Sequence, residues 1–371
     1  MDKATEQSLV EELQSLKANK ALFANDALGR NAFDKYRSEA RFAEESKRIF
    51  SQFPSAVAHV SDLPDPGSFL RCQLGSVPIL VTRDKSGQAR AFINACRHRG
   101  TRLVDNERGC QHRFSCPYHA WTYVSSGELL AAPHFEAGFG DLDKSALGLT
   151  PLPCHERFGF IWVTPSQDID FDAHFSGLAD DLQALDLEAH SVAHYDSMVC
   201  KANWKVIVEG GIEAYHFKVA HRATIAPYFE DNLSTYQAFG PDLRSILPRT
   251  SLAKRSANRP LREDAQVLYT LFPSTQLLVQ QDHVAWVKEE PLAADRTRIT
   301  ISTLAPKDRA HETEHWQQNH RITMDTLGED FAIGESIQST LSSRIVGEMT
   351  FGRFEGALTH FNAIVDSYLA G

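Results

Sequence analysis

No segment of this 371-residue chain approaches the run of roughly 18–20 apolar residues that a membrane-spanning helix needs. The first thirty residues, MDKATEQSLVEELQSLKANKALFANDALGR, lack the apolar core and small-residue cleavage site of a secretory signal. They read as an amphipathic helix. Neither a membrane nor export is expected, and the expected location is the cytoplasm. Basic clusters are missing as well, and the net charge is −10. Nucleic-acid binding needs a basic stripe, so nucleic acid is not an expected partner. An acidic surface suits a soluble enzyme, or docking to a basic redox partner. The absence of internal repeats and low-complexity tracts excludes repeat arrays. No GxGxxG follows a strand, so the chain carries no nicotinamide or flavin fingerprint of its own. Cysteine is scarce: six in all, too few in so long a chain for a disulfide framework. Cys72, Cys154 and Cys200 read as small buried hydrophobes, and Cys110 as packing.

What is present is an ordinary globular composition, 42% hydrophobic and 23% charged. The length exceeds one ordinary core, so two domains are expected. Residues 1–51 read as mainly helical, with Phe42, Ile49 and Phe50 at roughly helical spacing. PSAVAHVSDLPDPG then breaks the pattern with prolines and a glycine, and from 68 to about 165 the sequence is strand-like and rich in turns. SVPILVTRDKSGQARAFINAC reads as strand, polar turn, strand, and RFGFIWVTP alternates like a strand. Residues 222–262 are irregular and polar. Three β-rich runs between 265 and 305 read as an antiparallel meander, and the tail from about 308 to 369 as helix. The fold class is α+β, with a small β domain set inside or before a larger α+β domain.

Two of the six cysteines are paired with histidines. NACRHRGTRL holds Cys96 and His98, and CPYHAWTY holds Cys116 and His119. Two thiolates and two imidazoles can hold one tetrahedral zinc. They can equally hold a [2Fe–2S] cluster with both cysteines on one iron and both histidines on the other. Zinc sites usually draw like ligands from one loop. Here each loop offers one of each, which matches a two-iron cluster clamped between two similar loops. Gly100 permits the tight turn that such a loop needs, and Pro117 stiffens the second.

Further along, EAYHFKVAH presents Glu213, His216 and His221 with spacing E-x2-H-x4-H. Residues i and i+5 of a regular helix stand about 140° apart. Both histidines can face one metal only from a distorted helix or a helix end, and Gly210–Gly211 makes irregular backbone plausible. Two histidines with one carboxylate form the facial triad that binds non-haem Fe(II) and leaves positions open for O2 and substrate.

CRHRG and CPYHAWTY resemble the cluster loops of Rieske domains, in particular those of Rieske-type oxygenases. NWKVIVEGGIEAYHFKVAH resembles the iron-binding segment of the same family's catalytic subunit, LGEDFAIGESIQSTL the later segment that carries its third ligand, and FGRFEGALTHF its C-terminal region. The resemblance implies that Cys96, His98, Cys116 and His119 bind a [2Fe–2S] cluster and that His216, His221 and Asp330 bind mononuclear Fe(II). Glu329 adjoins Asp330, with Asp325 and Glu335 near. Glu213 stands where the family usually has Asp, and the resemblance gives it the role of linking a cluster histidine of a neighbouring subunit to an iron histidine. Gly210–Gly211 replace a common Asn–aromatic pair and would open space for substrate.

The implied fold is a Rieske β domain at 52–165 and a helix-grip (START/Bet v1-like) catalytic domain at 166–371, with residues 1–51 packed on the latter. The implied activity is that of a terminal oxygenase in a homotrimer, taking NAD(P)H electrons from a separate reductase or ferredoxin and using O2 on a small organic substrate. That substrate is an aromatic compound or a quaternary ammonium compound. A cation would want an aromatic cage, for which Tyr215, Phe217, Tyr228, Phe272 and Trp286 are candidates. The alternatives are a Rieske-type electron carrier, which needs only the first constellation, and a zinc-stabilised binding module.

Overall fold

A computed structural model describes residues 1–256, 259–343 and 345–370. The chain divides into two compact units: Phe50–His174 with Leu187–Ser191, and Met1–Ile49 with Phe175–Asp186 and Val192–Gly371. No helix among the described residues is long and apolar enough to cross a membrane.

The first unit is built from short antiparallel strands. Val77–Arg83 and Ala89–Ile93 form the hairpin expected from sequence, closing at Arg83↔Ala89. Asp84 makes the turn, accepting from the backbone N–H of Ser86 and Gln88 at 2.8 and 3.0 Å. Ser68–Leu74 and Arg108–Cys110 extend this sheet on one side and Pro151–Leu152 on the other. Val57, Leu63, Ile79, Val81 and Ile161 fill one core. A second core gathers Phe69, Phe114, Trp121 and Tyr123 around Cys96 and Cys116.

The larger unit is organised by a seven-stranded antiparallel sheet. Its strands are β1 (His190–Cys200), β2 (Thr235–Phe239), β3 (Asp242–Pro248), β4 (Ala265–Leu271), β5 (Thr275–Val279), β6 (Val284–Ala293) and β7 (Arg296–Pro306), in spatial order β1-β7-β6-β5-β4-β3-β2. Three findings differ from the sequence reading. The three β-rich runs are four strands, because β4 and β5 pair from Val267↔Val279 to Leu271↔Thr275 across a tight connection. The segment taken as irregular holds β2 and β3. Polar Arg244 and Ser245 are buried there because β3 is flanked on both sides, and Arg244 pairs with Asp181 at 2.6 Å. The helical tail is interrupted by Glu348–Phe351, which pairs antiparallel with Gly29–Ala32 inside the segment read as mainly helical. Partners so far apart in sequence leave no local signal.

Four helices position the site: α1 (Trp204–Gly211), α2 (Phe217–Ala220), α3 (Thr313–Ser342) and α4 (Gly356–Ala370). Asn203 caps α1, its side chain accepting from the Lys205 amide at 3.0 Å. The buried face of α3 runs Trp316, His320, Thr323, Thr326, Phe331, Gly334, Gln338, Leu341. Its steps of three to five residues are helical, but half of these residues are polar, so the apolar stripe is weak.

Candidate metal centres

The two Cys–His loops share one backbone design. Cys96 N–H donates to Thr101 O and Gly100 N–H to Cys96 O, both at 2.8 Å. Cys116 N–H donates to Trp121 O at 2.8 Å and Ala120 N–H to Cys116 O at 3.0 Å. Each loop therefore closes through the same pair of bonds, and each needs a left-handed residue at the same place. Gly100 has φ +73° and Ala120 φ +56°. The loops bring His98 Nδ1 and His119 Nδ1 to 3.1 Å. His98 stacks on Trp121 with centroids 5.0 Å apart. Cys96 and Cys116 are buried beside Tyr123, whose hydroxyl lies 3.3 Å from Cys96 Sγ and accepts from Arg97 N–H at 3.0 Å. Burial raises the Cys96 pKa, Tyr123 opposes that rise, and the neighbouring Cys116 thiol adds to it.

A single tetrahedral ion would draw its ligand atoms to within about 4 Å of one another. Among the described residues, the one group of three metal-type ligands whose donor atoms gather within 4.8 Å is His216, His221 and Asp330. In the other constellation imidazole faces imidazole, His98 against His119, and thiol neighbours thiol, Cys96 beside Cys116, the like-with-like pairing that suits a two-iron cluster.

The second constellation is assembled by helix ends. α2 is a single turn, with His216 at its N-cap and His221 at its C-cap. The i, i+5 pair meets because the helix stops at both histidines. Asp330 arrives from α3. His216 Nε2 and His221 Nε2 are 3.0 Å apart, and Asp330 Oδ1 lies 3.4 and 3.2 Å from them. Each Nδ1 faces a carboxylate, Glu213 for His216 and Glu329 for His221, the latter at 2.8 Å. That arrangement keeps the protons on Nδ1 and leaves both Nε2 lone pairs directed at Asp330. Three electron-pair donors so close repel unless a cation lies between them. Three bonds of roughly 2.1 Å at right angles give edges of about 3 Å, so the donor set fits a facially bound metal.

Glu329 was legible only as a neighbour of Asp330. It faces the back of His221 and accepts from Thr224 Oγ1 at 2.7 Å. Burial pulls the His221 pKa down, but Asp330 and Glu329 more than reverse this, and the net shift is upward. Glu213 is also held by the backbone N–H of Tyr215 and of His216. Asp325 is exposed on α3, and Glu335 Oε1 accepts from Lys201 N–H at 2.9 Å.

His221 and Asp330 line a cavity of about 460 Å³ that also takes in Gly210, Phe217, Tyr228 and Phe229. A Cβ on Gly210 would meet open space, whereas one on Gly211 would strike Gln276 at 2.5 Å. Of the five candidate pocket aromatics, Phe217 and Tyr228 are in this cavity. Tyr215 instead packs on Phe354 with centroids 4.5 Å apart, and Phe272 lies against Phe361 and Tyr368. Trp286 is buried in β6. Phe229, not anticipated, lies edge-to-face with Phe217 at 5.4 Å. A second cavity of about 600 Å³ reaches His216 and Asp330 from the Glu213 side and includes Glu209 and Glu355.

Residues 53–153 match the family model for the Rieske [2Fe-2S] domain, and residues 187–371 that for the ring hydroxylating alpha subunit (catalytic domain). The glycine betaine monooxygenase oxygenase subunit of Chromohalobacter salexigens is 36% identical over 215 residues, covering 58% of this chain and 48% of that one. The large oxygenase component of the 2,4-dinitrotoluene dioxygenase system of a Burkholderia species is 36% identical over 203 residues, 51% and 44% of the two chains. The match thus spans about half the length of these curated relatives. Among solved structures, the quaternary ammonium Rieske monooxygenase CntA in complex with L-carnitine superposes with TM-score 0.77 at 23% identity, covering 92% of this chain and 95% of that one. Naphthalene 1,2-dioxygenase with indole bound superposes with TM-score 0.78 at 19% identity, covering 92% of each. With the cluster domain and the catalytic domain both matched, the chain belongs to the Rieske-type non-haem iron oxygenases.

Proposed function

We propose that the protein is the terminal oxygenase component of a multicomponent system, using O2 and NAD(P)H electrons delivered by a separate reductase or ferredoxin to hydroxylate a small organic substrate. The observation that carries this reading is the set of three converging donors, His216, His221 and Asp330, the last two of them at the wall of a cavity of about 460 Å³. When bound, a [2Fe–2S] cluster on Cys96, His98, Cys116 and His119 would relay electrons, and iron on the triad would supply the O2 chemistry.

The protein's own groups do the rest. Glu213 and Glu329 hold the Nδ1 protons and so keep both Nε2 atoms available as ligands. Phe217 and Phe229 give the cavity an apolar wall that orients substrate and limits water. Glu213 occupies the side of the centre away from that wall, where we place the cluster of a neighbouring subunit in a homotrimer. This leaves the cavity of His221 and Asp330 for substrate. Relatives are named for glycine betaine and for aromatic compounds, and both classes stay within the proposal.

The test is electron paramagnetic resonance with nitric oxide on protein carrying a reduced cluster and Fe(II). A ferrous–nitrosyl signal that His216→Ala abolishes, with the cluster's visible spectrum intact, is the expected result. No nitrosyl signal in protein with a full cluster would overturn the oxygenase reading and favour an electron carrier.

A further inference from the structure

The cavity beside His221 and Asp330 contains an unsatisfied cation. Arg249 follows β3 directly. Its backbone N–H donates to Asp264 O at 2.8 Å, and it forms an isolated β-bridge with Phe229. The guanidinium lies over the Phe229 ring, 4.7 Å from its centroid. A guanidinium has five N–H donors. Among the described residues this one uses a single donor, Nη2 to Gln280 Oε1 at 2.9 Å. Its Nε is buried with no partner.

Other deeply placed arginines have a carboxylate or, in one case, a pair of carbonyls to bond. Arg83 has Glu156 at 2.7 Å, Arg244 has Asp181 at 2.6 Å and Arg255 has Asp264 at 3.3 Å. Arg262 has two carbonyl acceptors, Gln280 O at 2.7 Å and His283 O at 3.0 Å. Arg249 forms no ion pair among the described residues. Burial pulls its pKa down, with Asp264 in partial opposition. Asp264 itself is engaged by Ser251, Arg255 and Arg259.

The carboxylates that line the cavity do not answer this charge. Asp330 faces the two histidines, and Asp282 is held by His283, Arg309 and His315 at 2.9, 3.2 and 2.8 Å. Asp325 is exposed. His283 Nε2, in the same cavity, is a second buried polar atom without a partner. Arg249 is partly buried and lines the cavity, so an anion there gives its unused N–H donors and its charge the partner that the protein does not supply. A carboxylate fits the guanidinium fork best, through two parallel N–H···O bonds.

We propose that the substrate carries a carboxylate and that Arg249 binds it, fixing which end of the molecule faces His221 and Asp330. Arene carboxylates and betaine-type zwitterions meet this requirement, while hydrocarbons and choline-type cations do not. The Phe229 face that a cationic substrate would want is already covered by Arg249. This inference rests on the reading of the cavity as the substrate site of an oxygenase.

Calorimetric titration of the iron-loaded enzyme with matched probes tests it: benzoate against benzamide, and glycine betaine against choline. At least one carboxylate is expected to bind tenfold or more tightly than its partner. Arg249→Gln should weaken that binding by about 10–100-fold, while Arg249→Lys, a point charge without the fork, should retain part of it. Melting curves and cluster spectra establish that both variants are folded. Failure of both carboxylates to bind, equal binding within both pairs, or a preference that survives Arg249→Gln would each overturn the proposal. The nitrosyl signal separates the two claims. Its absence, with Arg249-dependent carboxylate binding intact, sinks the oxygenase reading and leaves the anion site standing. A nitrosyl signal unmoved by a carboxylate that calorimetry shows to be bound places the anion elsewhere and overturns the present inference.

Discussion

Each histidine of the triad has its Nδ1 proton held by a glutamate, and the two glutamates differ in what else holds them. Glu329 is fixed by Thr224 Oγ1 at 2.7 Å, whereas Glu213 is fixed by backbone amides. A Gln at 213 keeps an oxygen that can accept the His216 Nδ1 proton but loses the charge. Glu213→Gln is therefore expected to keep both metal sites filled while slowing electron delivery to the iron by at least about tenfold. Stopped-flow reoxidation of the reduced cluster, with substrate and O2 present, measures it. A wild-type rate at full iron content would remove Glu213 from the electron path. At this scale the sequence was most informative where chemistry is written in residue type and short spacing, as in Cys96-x-His98 and Cys116-x2-His119. Asp330 and Glu329 were harder to tell apart, because adjacent helix positions point about 100° apart and only α3 packing decides which one meets the histidines. Ala120, left-handed at φ +56°, and Arg249, an ordinary-looking arginine, carried no signal at all.

The helix α3 carries Asp330 to the histidines, and its depth is set one turn later. Gly334 shares the Asp330 face by i, i+4 geometry. A Cβ there would come within 3.3 Å of Ile207 Cδ1 and 3.6 Å of Val206 Cγ1 on α1. Valine would add two further carbons to a contact already closed and lever the helices apart. The expected cost is about 1–3 kcal/mol, read as a melting point lower by about 2–10 °C. Iron occupancy at the triad should fall while the cluster spectrum persists, since the cluster residues belong to the other compact unit. Gly328 provides the contrast on the same helix. Its Cβ would meet nothing within 4 Å, so Gly328→Ala should stabilise by about 0.5–1 kcal/mol. Calorimetric melting with iron analysis checks both, and an unchanged iron content in a folded Gly334→Val would show that α1 contact does not set Asp330. Elements were legible where the period was clean, as in the 77–93 hairpin. They were illegible where polar residues are buried for a local reason, as in β3, where Arg244 is neutralised by Asp181.

On the scale of the whole chain, the least legible feature is how its two ends meet the segment that leads to the histidines. Asn31 and Tyr36 from the N-terminal segment, Glu209 from α1 and Asn362 from α4 form one buried network. Asn31 Nδ2 donates to Tyr36 Oη and to Asn362 Oδ1 at 2.6 Å, while Tyr36 Oη and Asn362 Nδ2 both donate to Glu209 Oε1 at 2.7 Å. No spacing rule joins residues more than three hundred positions apart, so these pairings could only be seen in three dimensions. The network has a consequence for pH. Burial raises the Glu209 carboxyl to about 7 against an ordinary 4.5, and the bonds from Asn362 and Tyr36 only partly oppose it. Below the ordinary value both folded and unfolded chains hold the proton, and the contribution to stability is fully present. As pH rises towards 7 the unfolded chain ionises first, so the folded state binds the extra proton and stability declines. The loss is complete once pH passes the folded value, and it amounts to on the order of 3 kcal/mol. Glu209→Gln removes the ionisation while retaining an acceptor oxygen for Tyr36 and Asn362. Asp242, also buried and raised to about 7, has the same sign and leaves a residual slope. The wild-type unfolding midpoint in urea is therefore expected to fall between pH 5 and pH 8, and to fall less in Glu209→Gln. Parallel declines in the two proteins would mean that Glu209 ionises normally and that the network binds it as a carboxylate.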